Sequence, residues 1–258
     1  MTDSPLLFKM VEEGIAQATL NRPDKRNALN IPLMREFCHQ IESVKDIRAL
    51  IITGADPIFC AGLDLDEARD PSLEEASADL IAHTLLLLAK APFITIAAVE
   101  GAALAGGAGI MAACDVVVAA SDVKIGFPEV LRGLVPAQIS PILAKQVGWR
   151  ALRELFLFGK TIDAVKAQQI GLVNEVVEPG TSLTEALKWA KESLRGAPES
   201  IRLTKIVLDD IDPAKVEENL LKTMSIHHLA RQSKEAEEGI HAFLEKRKPV
   251  WNQRTKSQ

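Results

Sequence analysis

Residues 92–115, Pro-Phe-Ile-Thr-Ile-Ala-Ala-Val-Glu-Gly-Ala-Ala-Leu-Ala-Gly-Gly-Ala-Gly-Ile-Met-Ala-Ala-Cys-Asp, constrain this chain more than any other stretch. Residues 93–99 read as a buried strand. Residues 101–107 follow as a turn whose members carry little or no side chain, and residues 110–114 read as the start of an apolar helix. That succession leaves unpaired amide N–H groups at a helix N-terminus, where an anion or a developing oxyanion can be held. A second reading is purely structural: small residues let the helix pack closely on the sheet.

The nucleotide-binding alternatives are tested by the glycine spacing. A P-loop requires Lys-Ser or Lys-Thr after its last glycine, whereas Gly109 is followed by Ile110 and Met111. The one register resembling a dinucleotide fingerprint, Gly107-Ala-Gly109-Ile-Met-Ala112, begins well past the strand end at Val99. The amides are therefore aimed at something other than a diphosphate.

A chain of 258 residues accommodates one large α/β domain or a domain with a helical appendage. The net charge of −5 argues against a nucleic-acid partner, which calls for a basic face. No basic-then-apolar leader opens the sequence, and the longest apolar stretch, residues 101–114, is too short to span a bilayer. The expectation is a cytoplasmic protein without a membrane partner. Cys38, Cys60 and Cys114 are odd in number and far apart, which suggests neither a disulfide framework nor a metal site.

Residues 7–12 and 15–21 read as a hairpin, 31–44 as a helix capped by Asn30, and 49–53 as a buried strand. Residues 58–65 are extended, 66–75 an acidic mobile loop and 77–90 a helix. Strands are expected at 116–119, 123–126 and 172–177, with helices at 129–134, 139–147, 150–158 and 162–170. A capping box, Ser182-Leu-Thr-Glu185, opens a helix to about 194, followed by helices at 197–208, 213–230 and 233–246. The pattern predicts a βα core over residues 1–195 and a helical region over 196–258.

Two segments can each offer a backbone N–H to one oxygen: Cys60-Ala-Gly62-Leu63 and Leu104-Ala-Gly106-Gly107. Paired amides in a dry pocket stabilise charge developing on a carbonyl oxygen. The motifs Asn21-Arg-Pro-Asp-Lys-Arg-Asn-Ala28, Phe59-Cys-Ala-Gly-Leu-Asp64, residues 99–107, Gly126-Phe-Pro-Glu129, Gly171-Leu-Val-Asn-Glu175 and Phe243-Leu-Glu-Lys-Arg247 together resemble the enoyl-CoA hydratase/isomerase, or crotonase, family. They occur in family order over nearly the whole chain.

The resemblance implies an α/β fold of repeated ββα units with a helical C-terminal trimerisation region, a homotrimer or hexamer, and a CoA thioester as substrate rather than a cofactor. It places the thioester carbonyl on the N–H groups of Leu63 and Gly106. It puts Lys25, Arg26 and Ala28 beside the CoA nucleotide, Ala61, Leu63 and Leu65 along its adenine with Asp64 in the same motif, and Lys246 on a neighbouring subunit's CoA. Glu129 matches a catalytic glutamate; as plain structure, it would be a carboxylate favouring the N-terminus of a helix.

The family's other catalytic glutamate corresponds to Gly109. One carboxylate suffices to move a proton along a thioester dienolate, as in an isomerase, and also for hydration if it delivers both parts of water in turn. Residues 133–141, Gly-Leu-Val-Pro-Ala-Gln-Ile-Ser-Pro, resemble the branch acting on methylglutaconyl-CoA or isohexenylglutaconyl-CoA, which tilts the expectation toward hydration. A non-catalytic CoA-thioester binder is the reading from another class. Arg132 either pairs with Glu129 or receives a carboxylate of the substrate. His227 and His228 lack a third ligand at metal spacing and read as surface or interface residues.

Overall fold

The computed structural model describes residues 4–211 and 233–252. The helix expected at 213–230, with His227 and His228, lies outside them. Two compact units make up the chain, Met1–Ala190 and Lys191–Gln258.

The first unit begins with the antiparallel hairpin β1 (Leu6–Glu12) and β2 (Ile15–Leu20). Strand β2 starts a parallel run through β3 (Ala49–Gly54), β4 (Ile94–Val99), β6 (Val116–Ala120) and β9 (Glu175–Val177), giving the order β1-β2-β3-β4-β6-β9. Strands covered on both faces need apolar side chains throughout, and residues 49–53 of β3 and 95–99 of β4 are all buried. A second sheet, β5-β7-β8, comprises Ala102–Leu104, Lys124–Gly126 and Thr161–Ile162. Thus β4 enters the large sheet, β5 the small one, and helix α3 (Gly106–Ala113) follows; β6 and β7 repeat the division. An isolated bridge between Cys60 and Ala103 gives the chain after β3 the same relation to the small sheet.

Helix α1 (Ile31–Ser43) begins as expected, with Asn30 Oδ1 accepting from Leu33 N–H at 3.1 Å. Helix α2 (Glu74–Ala89) follows two single turns, Glu67–Arg69 and Pro71–Leu73, which occupy the stretch expected as a mobile loop. The first of those turns is tied down, since Glu67 accepts from Ile31 N–H at 2.9 Å.

Helix α3 starts at Gly106 and ends at Ala113, so residues 110–114 close a helix rather than open one. Short side chains at 106–109 let its first turn enter the core, and every residue of α3 is buried. Residues 128–132 form one 3-10 turn instead of an α-helix: Pro128 fixes its start and Gly133, at φ +73°, ends it. Beyond it lie α4 (Ser140–Leu143), α5 (Trp149–Phe158), α6 (Ala164–Gln169) and α7 (Ser182–Ser193). The capping box at α7 does not form. Glu100 instead accepts from Ser182 N–H and Gly180 N–H, both at 3.0 Å, and Ser182 Oγ has no partner among the described residues.

The second unit contains α8 (Pro198–Asp210) and α9 (Lys234–Leu244). Glu235 accepts from the Glu199 and Ser200 amides at 3.2 and 3.1 Å, capping α8. Arg247 pairs with Glu238, and the Trp251 indole N–H donates to Arg195 O at 3.1 Å.

Candidate active site

Residues 59–65 form no regular strand, yet their backbone is hydrogen-bonded on both sides. On one side Leu29 N–H donates to Gly62 O at 2.7 Å, Asp64 N–H to Leu29 O at 2.9 Å and Ala61 N–H to Arg26 O at 3.0 Å. On the other, Cys60 N–H donates to Ala102 O and Leu104 N–H to Cys60 O, both at 3.0 Å. The turn at Gly62 is thereby pressed against the turn at Ala105. A Cβ on Gly107 would lie 2.5 Å from Cys60 O, and one on Gly62 would lie 2.9 Å from Ala105 Cβ, so both positions demand glycine. Gly62 also has φ +96°.

Ala105 has φ 48° and ψ −124°, a strained conformation for a residue with a side chain. Its N–H donates to Gly126 O and its carbonyl accepts from Gly109 N–H, both at 2.9 Å. This bend opens α3 with Gly106 in its first turn. Among the described residues neither Gly106 N–H nor Leu63 N–H has a hydrogen-bond partner. The close-packing reading of the glycine stretch holds, and that packing brings two unused amides onto touching segments.

Glu129 reaches the same region through the small sheet, where Leu104 of β5 is paired with Gly126 of β7. Between Gly126 and the glutamate, Phe127 is fully buried and meets the Phe156 ring of α5 edge-on, with centroids 5.2 Å apart, which anchors the turn. Glu129 is only 9% exposed, and its Oε2 is buried without a hydrogen-bond partner among the described residues. Burial pushes its carboxyl above the ordinary value; a hydrogen bond from its own amide and the charge of Arg132 pull the other way and are outweighed. No ion pair joins Glu129 and Arg132. The Arg132 side chain is exposed, and its Nη1 donates to Pro128 O at 3.3 Å. The pairing reading of Arg132 fails because Glu129 is buried while the Arg132 side chain is exposed, with its Nη1 on Pro128 O.

Gly109 lies against apolar groups. A Cβ there would sit 3.0 Å from Ile139 Cγ1 and 3.4 Å from Leu85 Cδ2.

Lys25, Arg26, Ala28, Ala61, Leu63 and Leu65 come together because residues 22–29 and 60–65 are laced by the bonds above. Lys25 Nζ meets Asp66 at 2.8 Å on the surface, Arg26 is exposed, Leu65 is 52% exposed and Ala28 is buried. Asp64 is buried, its carboxylate held by Arg22 Nη2 at 2.8 Å and the Asp66 amide at 3.0 Å. Burial raises its pKa, but the bonds from Arg22 and the nearby amides win and hold it low. Lys246 belongs to the second unit and is exposed.

Sequence reasoning assigned nothing to Arg22 and Asn27, although both stand in the quoted motif. Asn27 is fully buried; its Nδ2 donates to Ala55 O at 2.8 Å and Ile58 O at 2.6 Å, while Oδ1 accepts from Arg22 N–H at 2.9 Å. An amide side chain inside a cationic loop was the available signal. The Cys60 thiol, with its pKa raised to about 12 by burial, donates to Asn27 O at 3.1 Å and serves packing rather than nucleophilic attack.

Chemically, two free amides and a nearby buried carboxylate suit an enzyme that holds an oxyanion while a proton moves. The chain belongs to the enoyl-CoA hydratase/isomerase family, whose profile it matches over residues 10–254, and is an enzyme of that family acting on acyl-CoA thioesters. It is 32% identical over 242 residues to the 2,3-dehydroadipyl-CoA hydratase of Escherichia coli, covering 92% of this chain and 95% of that one. It is likewise 32% identical over 253 residues to enoyl-CoA isomerase/hydratase fer4 of Mycosarcoma maydis, covering 92% of each. The fold is the crotonase fold: the enoyl-CoA hydratase structure from Bacillus anthracis superimposes with a TM-score of 0.89 at 27% identity, covering 95% of this chain and 98% of that one.

Proposed function

We propose that the protein hydrates an enoyl-CoA, with Glu129 as its single acid–base group and the amides of Leu63 and Gly106 holding the thioester oxygen. The observation that carries this is Glu129 Oε2: a carboxylate oxygen buried without a partner, with a raised pKa, on the turn that β7 brings beside the two free amides. The ionised carboxylate takes a proton from water while the water oxygen bonds to C3. The C2–C3 π electrons move into the thioester, whose enolate oxygen is held by the two N–H groups. Protonated Glu129 then returns the proton to C2, and one water has been added.

Isomerisation of a 3-enoyl-CoA by the same residue is the second reading. The apolar contacts around Gly109 favour it, since they leave no other carboxylate to activate water. Lys25, Arg26, Ala28, Ala61 and Leu65 are assigned to the CoA moiety, with Asp64 acting through Arg22 to hold that loop and Lys246 reaching the CoA of a neighbouring copy. Arg132 is assigned to a carboxylate at the far end of the acyl group, as in a glutaconyl-type thioester. Three free cysteines suit a reducing compartment such as the cytoplasm.

Incubating the enzyme with crotonyl-, 3-enoyl- and 3-methylglutaconyl-CoA and weighing the products separates these readings. Glu129→Gln, which keeps shape and removes the proton carrier, is expected to lower turnover by at least about a hundredfold while thioester binding survives. Near-normal turnover of that variant would end the assignment, and no turnover by the wild type on any thioester would leave a binding protein.

A further inference from the structure

Three buried side-chain oxygens lack a hydrogen-bond partner among the described residues: Ser77 Oγ, Glu129 Oε2 and Ser182 Oγ. An orphaned hydroxyl costs stability, so each calls for a reason. Ser182 starts α7 where Glu100 has already taken the free amides. The other two belong to opposite ends of one connected piece of structure. From the Glu129 turn the chain runs to Gln138, whose Nε2 donates to Ala78 O at 3.4 Å, the residue after Ser77. The next residue, Ile139, meets Gly109 together with Leu85, which lies two turns further along α2. Ser77, 8% exposed, therefore sits in the first turn of the helix whose Leu85 lies beside Gly109, the position that carries no carboxylate.

We infer that Ser77 is the second polar contact of the acyl site, its hydroxyl hydrogen-bonding the oxygen that is added at C3 while Glu129 moves the proton. This rests on the hydratase reading. A serine hydroxyl is too weak a base to replace the absent glutamate, but it can accept from water, or donate to it, and so fix the line of attack. It does so without placing a second negative charge beside Glu129, which would raise that carboxyl further.

The test uses the full-length enzyme with Ser77→Ala, Ser77→Cys and Glu129→Gln, measuring kcat and KM for hydration together with Tm. Losing one hydrogen bond in the transition state predicts that Ser77→Ala lowers kcat by about tenfold or more with little change in KM. Its Tm should be unchanged or higher, because an unpaired buried hydroxyl has been removed. Cysteine preserves volume but is a weak hydrogen-bonding group, so Ser77→Cys should be nearly as impaired. Wild-type kcat in Ser77→Ala overturns the inference, as does full activity of Ser77→Cys, which would leave only a packing role. A kcat loss accompanied by a fall in Tm likewise overturns it in favour of structure. An inactive Glu129→Gln beside a fully active Ser77→Ala refutes Ser77 alone, whereas an active Glu129→Gln refutes the hydratase reading beneath it.

Discussion

Glu129 shows how one carboxyl is prepared by its surroundings. Burial raises its pKa, so the folded protein holds that proton more tightly than the unfolded chain does. The residue therefore favours folding below the ordinary value of 4.5, and this contribution is lost as pH rises through the higher folded value. Removing the charge should help the fold at neutral pH: Glu129→Gln is expected to have a higher Tm than the wild type at pH 7. The gap should shrink as the pH is lowered from above the folded value to 4.5, and thermal melts across that window check it. A variant less stable at pH 7 would mean that the ionised carboxylate has a partner in the fold. The same raised pKa predicts that hydration falls on acidification at a pH above that of an ordinary carboxyl, since the base must be ionised. Arg132 lowers the Glu129 pKa without pairing with it, its exposed guanidinium donating to Pro128 O instead.

At the scale of elements, the amide pair is a product of close packing between two turns. Gly107→Ala would drive a methyl to within 2.5 Å of Cys60 O, and backbone cannot yield as a side-chain tip can. A loss of about 1–3 kcal/mol by urea unfolding is expected, with a larger loss of kcat than of CoA affinity. Unchanged kcat would show that the two segments need not touch. The strands were legible in the sequence because their apolar runs follow period and burial: residues 49–53 and 116–119 were placed within a residue or so of β3 and β6. The glycine stretch was readable as a turn of small residues packed on the sheet, but the start of α3 was not. The small residues that begin that helix look like loop, and only their burial against Cys60 makes them helical. The capping box failed for a related reason, since Glu100, far away in sequence, takes the Ser182 amide that Glu185 was expected to bond. Asn27 was signalled only by being an amide in a cationic loop, because its bonds to Ala55 O and Ile58 O form only when the chain is folded.

For the whole molecule, the first unit leaves a set of large apolar side chains in water. Leu131 is 69% exposed, Val135 71%, Trp149 72% and Phe158 64%, and all belong to the Glu129 turn, the segment after it, or α5. Exposed apolar residues of this size mark surfaces that associate. The expected assembly is a homotrimer or hexamer, with a mass by light scattering near three or six times 28.0 kDa. A stable monomer would contradict it and would remove the assignment of Lys246 to a neighbour's CoA. The central claim, that Glu129 adds water across an enoyl thioester, is tested most directly by running the reaction in ¹⁸O-labelled water and weighing the acyl product. Hydration predicts a product heavier than the substrate by one labelled water, formed by the wild type and lost in Glu129→Gln. A product of unchanged mass, its double bond moved and no label gained, would contradict it and make the enzyme an isomerase.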